Sequence, residues 1–483
     1  MVHGSALVPS ERLAARLGRW AQGDGTLAER LARAVAALIE NGELRPGDRL
    51  PAERALAQAI SVSRGTVVAA YGLLSEDGLV ERRQGSGTSV AGSAPPAART
   101  GRVRRSEALF SALPSSIDLL RGVPQMPELA VKLVSDHRPA LDPVLLAETD
   151  PAGLPLLRDR IARQFAEEGT PTTPEQILVT HGAQSAIHLL IGELVSPGDV
   201  VLTEEVTWPG LSDTVRLRGG TVHGLPVGPD GLDVAALEEA MVRLRPVLVA
   251  VNPHHQNPTG TRMPQASRRR VAELAAVYGV PVLEDRVLAP VSFDGIVPPT
   301  LASLRPDAPV VVAESMSKWA WAGLRIGWLR ADPVLIRRLR ASRQLADQST
   351  SVPAQLLALD FLDHAGELRR EVATHHARML ELLRELLAEH LPEWRYTTPK
   401  GGLSLWVQLP EGSADELIGL AAMRGVAVAG SGAFAAAGSD DDRIRIPFTA
   451  PEAMLREGIR RLGEAWRESL RRAADAEGRI TTR

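Results

Sequence analysis

The residues best suited to covalent chemistry in this chain of 483 residues are its three lysines, Lys132, Lys318 and Lys400. Of the 55 Lys and Arg residues, the remaining 52 are arginines. A lysine amine can condense with a carbonyl group to form an imine, so chemistry of that kind has three candidates. The chain has no cysteine, which excludes disulfides, thiolate metal sites and cysteine nucleophiles. We predict no metal site.

Lys318 differs from the other two lysines in its neighbours. It ends the run Ser315-Met316-Ser317-Lys318, and Arg325 follows in Gly323-Leu324-Arg325. Serine hydroxyls and guanidinium groups bind phosphate, and a guanidinium can do so with two parallel hydrogen bonds. The spacing therefore indicates an imine-forming lysine beside a phosphate site.

Four further features precede Lys318 along the chain. Gly182-Ala183-Gln184 follows a predicted strand and opens a predicted helix, where free backbone N–H groups favour an anion. Asp285 follows the apolar run that begins at Val280, while Trp208 and Asn257 lie in loops. Taken singly, such a tryptophan is commonly a core residue and Asn-Pro-Thr-Gly is a turn. Together they supply the acid, the aromatic ring and the anion site that pyridoxal phosphate requires.

This order resembles that of the class I/II aminotransferases of fold type I. The resemblance implies a catalytic Lys318 that holds pyridoxal phosphate as an aldimine, and Asp285 paired with the ring nitrogen. It also implies that Trp208 stacks on the ring and that Asn257 bonds the ring hydroxyl. The remaining cofactor contacts it implies are Gly182, Ala183, Gln184, Ser315, Ser317 and Arg325.

Arg445, in Ile444-Arg445-Ile446-Pro447-Phe448, matches the arginine that binds the substrate carboxylate in that family. Arg443 is a second candidate. The alternative is that both arginines serve the surface, or pair with the acidic run Asp440-Asp441-Asp442.

Two positions depart from the family pattern. Val287 stands where a tyrosine usually donates to the ring hydroxyl, and Glu148 stands near the position of a tyrosine that reaches the neighbouring subunit's phosphate. We expect a pocket that holds the cofactor and is less clearly built for turnover.

The first 90 residues carry a different pattern. Thr26 and Glu29 form a capping box for a helix that ends at Asn41-Gly42, Pro51 opens a second helix that ends near Ile60, and Ser63 caps a third that ends at Asp77-Gly78. Two short strands, 79–83 and 88–90, then flank a glycine-rich hairpin tip. This succession predicts a winged helix-turn-helix.

Such domains place the start of their second motif helix in the major groove of DNA. The predicted DNA-binding residues are Arg54, Ser63, Arg64, Thr66, Arg82, Arg83, Gly85 and Gly87. Among them Arg64 is placed to pair with a guanine edge. The alternative is a winged helix that contacts only protein. Residues 26–90 resemble the GntR-type winged helix, with Ala52 in place of the usual Ser or Thr, so one capping hydrogen bond should be missing.

Charge and composition indicate how the whole chain divides into domains. Residues 1–105 contain 15 Arg and 10 acidic residues, which leaves 40 basic and 48 acidic residues for the remainder, so that a net +5 precedes a net −8. We predict a leader over 1–25, the winged helix over 26–90 and an extended linker over 91–116. We expect the aminotransferase-like body over 117–483.

Within the body, short Val/Ile/Leu runs alternate with helical patterns, which predicts an α/β architecture with a parallel sheet covered on both faces. Its large lobe is expected at about 150–352. A smaller α+β lobe is expected from about 117–149 plus 353–483. No segment has the pattern of a signal peptide or membrane span, so a cytoplasmic location is predicted.

The combination of a GntR-type winged helix, a linker and an aminotransferase-like body resembles the MocR/GabR family of bacterial regulators. The resemblance implies a homodimer that binds double-stranded operator DNA and senses pyridoxal phosphate, or a small amine or amino acid, through the aldimine at Lys318. The alternative is an active aminotransferase with an appended DNA-binding domain. Residual transaminase activity is compatible with either.

Overall fold

The computed structural model describes residues 8–17, 20–21, 26–40, 44, 47–76, 79–83, 87–90, 105–110, 112–113, 115–138, 150–436 and 441–480. The chain forms two compact units, Met1–Arg104 and Arg105–Arg483, which we call the head and the body.

The head is a small helical domain with a two-stranded wing. Its elements are helices α1 (Ser10–Leu17), α2 (Leu27–Glu40), α3 (Glu53–Ala59) and α4 (Arg64–Glu76), followed by the antiparallel strands β1 (Val80–Arg83) and β2 (Gly87–Val90). Leu31, Val35, Leu56, Val67 and Tyr71 are buried in its core. The Tyr71 hydroxyl donates to the Pro51 carbonyl at 3.0 Å, which ties the start of α3 to α4.

The predicted caps of these helices form. The Thr26 amide donates to the Glu29 carboxylate at 2.8 Å, and the Glu29 amide donates to the Thr26 hydroxyl at 3.3 Å. The Thr66 amide donates to the Ser63 hydroxyl at 3.1 Å. Ala52, which precedes α3, makes no side-chain cap, as its lack of a hydroxyl predicts.

The leader prediction needs correction. Within residues 1–25, helix α1 buries Leu13 and Leu17 in the core of the head, and the Val8 amide donates to the Arg49 carbonyl at 2.9 Å. The helix buries an apolar stripe against α2 and α3. The sequence Pro9-Ser10-Glu11-Arg12 resembles Pro51-Ala52-Glu53-Arg54 at the start of α3 but is not followed by a second motif helix, and for that reason the segment was assigned to a leader.

The body is built around a seven-stranded sheet. Its strands in spatial order are β4 (Ile177–Thr180), β12 (Gly327–Arg330), β11 (Val310–Ser315), β10 (Val282–Asp285), β9 (Leu248–Val251), β5 (Val200–Glu204) and β6 (Thr221–Leu225). Six of the seven are parallel, whereas β12 runs antiparallel to both neighbours. The expected all-parallel sheet is therefore mixed. The strand β12 reads Gly-Trp-Leu-Arg and follows β11 after a short loop, too short for a helical crossover.

Helices cover both faces of this sheet. Those of the large lobe are α6 (Glu128–Asp136), α7 (Pro155–Glu167), α8 (Ala183–Leu194), α9 (Pro209–Leu217), α10 (Val234–Leu244), α11 (Gln265–Tyr278), α12 (Leu301–Leu304), α13 (Pro333–Ala346) and α14 (Val352–Asp363). Two short strands, β7 (Val227–Gly228) and β8 (Gly231–Leu232), form a hairpin beside it. Single turns of 3-10 helix occur at Pro174–Gln176, Met316–Lys318 and Ala322–Leu324.

The small lobe has its own sheet and core. Strands β13 (Arg395–Tyr396), β14 (Ser404–Gln408), β17 (Arg443–Pro447) and β16 (Ala429–Gly430) lie side by side in that order. Strand β15 (Val426–Ala427) pairs with β3 (Ile117–Asp118). The helices of this lobe are α15 (Ala365–His390), α16 (Ala414–Met423), α17 (Ser431–Phe434) and α18 (Glu452–Ile480).

The lobe boundaries differ from those expected. Ala130 of α6 and Phe361 of α14 are buried in the large-lobe core, although both were assigned to the small lobe. Val372, in the first turns of α15, also packs there, while Leu383 belongs to the small-lobe core. One long helix therefore joins the two lobes. A sequence pattern does not show which core such a helix enters.

The end of the predicted linker also differs. Residues 105–108 form the short helix α5 (Arg105–Ala108), which docks on α9. The Ser106 amide and hydroxyl donate to Asp213 at 2.9 and 2.6 Å. Leu109 is buried beside Trp406 and Phe434. These contacts place residues from Arg105 onwards in the body.

Some predicted positions lie outside the described residues: Asn41-Gly42, Asp77-Gly78, Gly85, residues 91–104, Glu148 and Asp440. Among the described helices, none combines the length and apolar character needed to cross a membrane.

Candidate functional site

The candidate site lies at the carboxyl ends of the parallel strands of the large sheet. Asp285 ends β10, Lys318 closes the turn after β11, and Gly182 lies between β4 and α8. Trp208 follows β5 and caps α9. Because parallel strands end at the same edge of a sheet, residues distant in sequence meet there.

Lys318 is a half-buried amine with few neutralising partners. Its Nζ donates to the carbonyl oxygen of Gly122 at 2.5 Å. Burial lowers the pKa of Lys318 to about 8, and the Arg445 charge adds to this effect, while Asp285 opposes it. A substantial fraction of this amine is therefore neutral near pH 8, which nucleophilic attack on a carbonyl requires.

Asp285 is the acid of the site. Its Oδ1 accepts the Val287 amide at 3.0 Å, and its side chain lines a cavity with Trp208, Leu211 and Asn252. Burial raises the pKa of Asp285 to about 6, although the Val287 N–H and the charge of Lys318 both lower it. At neutral pH it carries the negative charge that a protonated ring nitrogen needs.

The predicted phosphate contacts come together around Gly182. Ser315 and Ser317 are joined hydroxyl to hydroxyl at 2.9 Å. The Arg325 Nη2 donates to the His181 carbonyl at 2.8 Å, and a Cβ on Gly182 would lie 3.2 Å from that nitrogen. Gly182 has a φ of +90°, so both its conformation and this close approach favour glycine. The first turn of α8, with Ala183, completes this group.

Gln184 orients Trp208. Its Oε1 accepts the Trp208 indole N–H at 2.6 Å, and its Nε2 donates to the Gly210 carbonyl at 3.2 Å. The sequence suggested only a backbone contact from Gln184. The structure adds a side chain that holds the indole ring at the cavity wall.

Arg445 is buried next to Asn257. Its Nη1 donates to Asn257 Oδ1 at 3.0 Å, and its Nη2 donates to the carbonyl oxygen of Leu120. The guanidinium carbon lies 4.5 Å from the ring centroid of Phe434, and the buried Nε has no partner in the described part of the chain. Burial lowers the pKa of Arg445 to about 9, while Asp118 opposes this. A buried guanidinium that faces no direct carboxylate partner is suited to an incoming anion.

Arg443 follows the alternative in which the arginine lies at the surface and pairs with the acidic run. It pairs with Asp442 at 3.6 Å, and its side chain is 40% exposed. The acidic run thus accounts for Arg443, whereas Arg445 lies inside the fold.

Two groups of polar residues near the site were not predicted from the sequence. Glu204 and Asn252 line the cavity beside Asp285. On the far side of β10, the fully buried Arg286 pairs with Glu314 at 2.7 Å and Glu168 at 3.2 Å. The signal available was a charged residue inside an otherwise apolar strand region, which demands a buried partner.

The residues present fit pyridoxal phosphate. The cradle around Gly182 offers hydroxyls, helix N–H groups and a guanidinium for a phosphate, and Asp285 suits a protonated ring nitrogen. The buried Nε of Arg445 is an unsatisfied donor for an anion. Val287 supplies a backbone N–H to Asp285 and, as a valine, no hydroxyl.

The second predicted site lies in the head. Arg64 opens α4 with a side chain that is 70% exposed and pairs with Glu53 at 3.2 Å. Arg54 is exposed on α3, while Ser63 and Thr66 are joined hydroxyl to hydroxyl at 2.9 Å. Gly87 opens β2 with a φ of +86°. Arg82 and Arg83 lie on the wing strand β1.

Two family profiles match the chain. Residues 139–462 match the family described as aminotransferase class I and II, and residues 27–90 match the bacterial regulatory proteins of the gntR family.

Individual relatives fall into the same two groups. The chain is 33% identical over 310 residues to 2-aminoadipate transaminase of Thermus thermophilus, covering 63% of this chain and 78% of the relative. It is 28% identical over 417 residues to the probable rhizopine catabolism regulatory protein MocR of Rhizobium meliloti, covering 80% of this chain and 83% of the relative.

A solved structure shows that the body is also similar in fold to an aminotransferase. The α-aminoadipate aminotransferase LysN of Thermus thermophilus, complexed with N-(5'-phosphopyridoxyl)-L-leucine, superposes with a TM-score of 0.65 at 28% identity. The match covers 76% of this chain and 98% of LysN. The expected fold class, a winged helix joined to a fold type I body, is confirmed.

The lowered pKa of Lys318 generates a prediction about pH. Capture of pyridoxal phosphate requires the neutral amine, so its rate should rise with pH up to about 8 and level off above that value. An ordinary exposed lysine would continue to gain neutral amine up to about pH 10. Stopped-flow absorbance of the apoprotein mixed with cofactor measures this. A rate that keeps rising beyond pH 9, or capture that persists in Lys318→Ala, would contradict the assignment.

Proposed function

The chain belongs to the aminotransferase class I and II family and its head to the gntR family of bacterial regulators, and from this premise we propose that it is a MocR-type transcriptional regulator that depends on pyridoxal phosphate. The head binds operator DNA. The body senses the cofactor itself, or an amino compound that reacts with the cofactor held at Lys318.

One observation carries this proposal: two cations of the site, the half-buried Lys318 and the buried Arg445, are bound by the segment that leads to the head. Lys318 donates to the Gly122 carbonyl, and Arg445 donates to the Leu120 carbonyl. We call the described part of residues 105–122 the arm. Its N-terminal end continues through residues 91–104 into the DNA-binding domain.

The arm is fixed to the body at several further points. Ser106 donates twice to Asp213 of α9, the helix that Trp208 caps. Arg105 donates to the Ala435 carbonyl. Leu109 packs on Phe434, whose ring covers the Arg445 guanidinium. A change at Arg445 can therefore reach Leu109 of the arm through the Phe434 ring.

The charge of the pocket favours an anionic effector. Arg445 is buried, Lys318 is half-buried and Arg325 is exposed at the rim, while Asp285 and Glu204 are the acids of the adjoining cavity. The cofactor, when bound, supplies a phosphate dianion and a carbonyl group that accepts a primary amine. Its phosphate suits Arg325 and Ser317, which leaves Arg445 for a carboxylate. An amino acid has both the amine and the carboxylate.

Occupation of the pocket would release the arm. A carboxylate on Arg445 competes with the Leu120 carbonyl for the same guanidinium. A hydrogen bond to a charged group contributes roughly 1.5–3 kcal/mol. Loss of that bond is enough to shift a two-state equilibrium by about ten-fold or more.

A working aminotransferase remains the second candidate. Asp285 and Arg325 both lie near enough to Lys318 to influence its pKa, and such an enzyme needs an acid, an amine and a phosphate-binding arginine close together. Val287 provides no hydroxyl at the position where the family usually has a tyrosine, which argues for slow turnover. We also propose a homodimer, as the relationship to MocR implies.

The function is tested by measuring DNA affinity with and without ligand. We expect pyridoxal phosphate, alone or with a set of amino acids, to change the affinity of the full-length protein for duplexes it selects from random sequence. Lys318→Ala should bind those duplexes and fail to respond. Fluorescence anisotropy gives the affinity. Steady production of keto acid from an amino donor, with no change in DNA affinity, would favour the aminotransferase.

Sequence reading by the head is tested at Arg64. A guanidinium bound to a guanine edge contributes about 1–3 kcal/mol of discrimination, so Arg64→Ala should bring the affinity for selected duplexes close to that for random DNA. Arg12→Ala, an exposed arginine on α1, is the matched control and should retain discrimination. Equal discrimination by the two variants would exclude Arg64 as a base reader.

The arm is tested at its anchor on α9. Asp213→Ala removes both hydrogen bonds from Ser106 and lies outside the proposed cofactor contacts. We expect normal cofactor absorbance and normal basal DNA affinity, with a ligand response reduced several-fold. Asp213→Asn keeps an acceptor oxygen and should retain most of the response. A full response in Asp213→Ala would show that the signal does not pass through this contact.

A further inference from the structure

A second buried carboxyl, Glu204, lies in the pocket and has no role in the function proposed above. It ends β5, is 1% exposed, and lines the same cavity as Asp285. The two acids are two strands apart in the sheet, since β9 runs between β5 and β10. Both reach the cavity from the carboxyl edge of the sheet.

The hydrogen bonds of Glu204 come from neutral groups. Its Oε1 accepts a hydrogen bond from the backbone N–H of Asn252 at 2.7 Å. Its Oε2 lies 3.3 Å from the Thr207 hydroxyl and 3.4 Å from that of Thr203. No arginine, lysine or histidine forms an ion pair with it in the described part of the chain. The hydroxyls of Thr207 and Thr203 can accept a hydrogen bond from a protonated Glu204 as readily as they donate one to its carboxylate.

Two buried carboxyls that share a cavity do not both ionise readily. Asp285 has the nearby Lys318 to favour its charge, whereas Glu204 has Asp285 as its titratable neighbour. Trp208, Asn252 and the two threonines around Glu204 do not titrate in the relevant range. The proton of the pair therefore belongs on Glu204.

The titration behaviour agrees with this geometry. Burial raises the pKa of Glu204 to about 7, and the charge of Asp285 contributes to the increase. Burial raises the pKa of Asp285 to about 6. Between pH 6 and 7, Asp285 is the more ionised of the two. Above pH 7 the cavity gains a second negative charge.

We propose that Glu204 is a positioning residue that holds a proton and so confines the negative charge of the cavity to Asp285, the acid that would pair with the ring nitrogen of a bound cofactor. Its bond to the Asn252 amide also fixes the end of β9, from which the Asn252 side chain enters the cavity. The buried side-chain Oδ1 of Asn252 has no hydrogen-bond partner among the described residues. It is therefore an unpaired acceptor at the cavity wall, on the residue whose backbone Glu204 holds. The proposal rests on the cofactor site proposed above, and not on DNA regulation.

The test compares wild type with Glu204→Gln, each loaded with pyridoxal phosphate and without amine or DNA. Glutamine has the shape of the protonated acid and cannot ionise. The absorbance spectra of the bound cofactor should therefore coincide below about pH 6. The difference between them should grow through pH 7 and become constant above about pH 8. Cofactor affinity at pH 6 should agree within about two-fold.

Two outcomes would overturn the proposal. A spectral difference of constant size from pH 5.5 to 9 would mean that Glu204 is already ionised at low pH. Identical spectra at every pH would mean that its charge does not reach the cofactor. Circular dichroism and the midpoint of urea unfolding confirm that Glu204→Gln is folded. A wild type that fails to bind cofactor would instead reject the pocket assignment itself, and the DNA measurements above remain separate.

Discussion

The pocket depends on a buried ion-pair cluster just behind it. Arg286 is fully buried and pairs with Glu314 and Glu168, at distances of 2.7 and 3.2 Å, and it lies 4.0 Å from Glu284. Those partners come from β11, the end of α7 and β10. Breaking such a buried cluster by removing one partner costs about 3–5 kcal/mol. The cluster therefore fixes the edge of the sheet from which the site residues project.

Successive side chains of β10 point to opposite faces of the sheet, so the end of this one strand contributes both to the ion-pair cluster and to the cavity. Glu284 points to the ion-pair cluster, and the next residue, Asp285, points to the opposite face and into the cavity. Arg286 turns back to the cluster. The charges of Glu284 and Arg286 are therefore separated by the sheet from the charge of Asp285, whose protonation is controlled by Lys318 and the cavity itself. Stability and cofactor chemistry are assigned to opposite faces of the strand.

The sequence predicted what depends on spacing and missed what depends on packing. The winged helix and the fold type I body followed from caps, apolar periods and family motifs, and Lys318 differed from the two other lysines by the serines and the arginine near it in the sequence. Glu204 lay in a run that read as an ordinary buried strand, and nothing in it indicated a neighbour on β10. The antiparallel β12 and the core role of α1 were missed because short apolar segments do not reveal their partners.

The arrangement of cations also explains why a sensor can be built on an enzyme fold. Lys318 and Arg445 donate to backbone carbonyls of one short segment. Carbonyls are weaker partners for a cation than a carboxylate is. An arriving carboxylate therefore has a driving force to displace them, whether or not turnover follows. In an enzyme, displacement of these carbonyls by the substrate would serve only to close the active site. Here the displaced segment continues into a DNA-binding head, so the same exchange of partners can carry a signal.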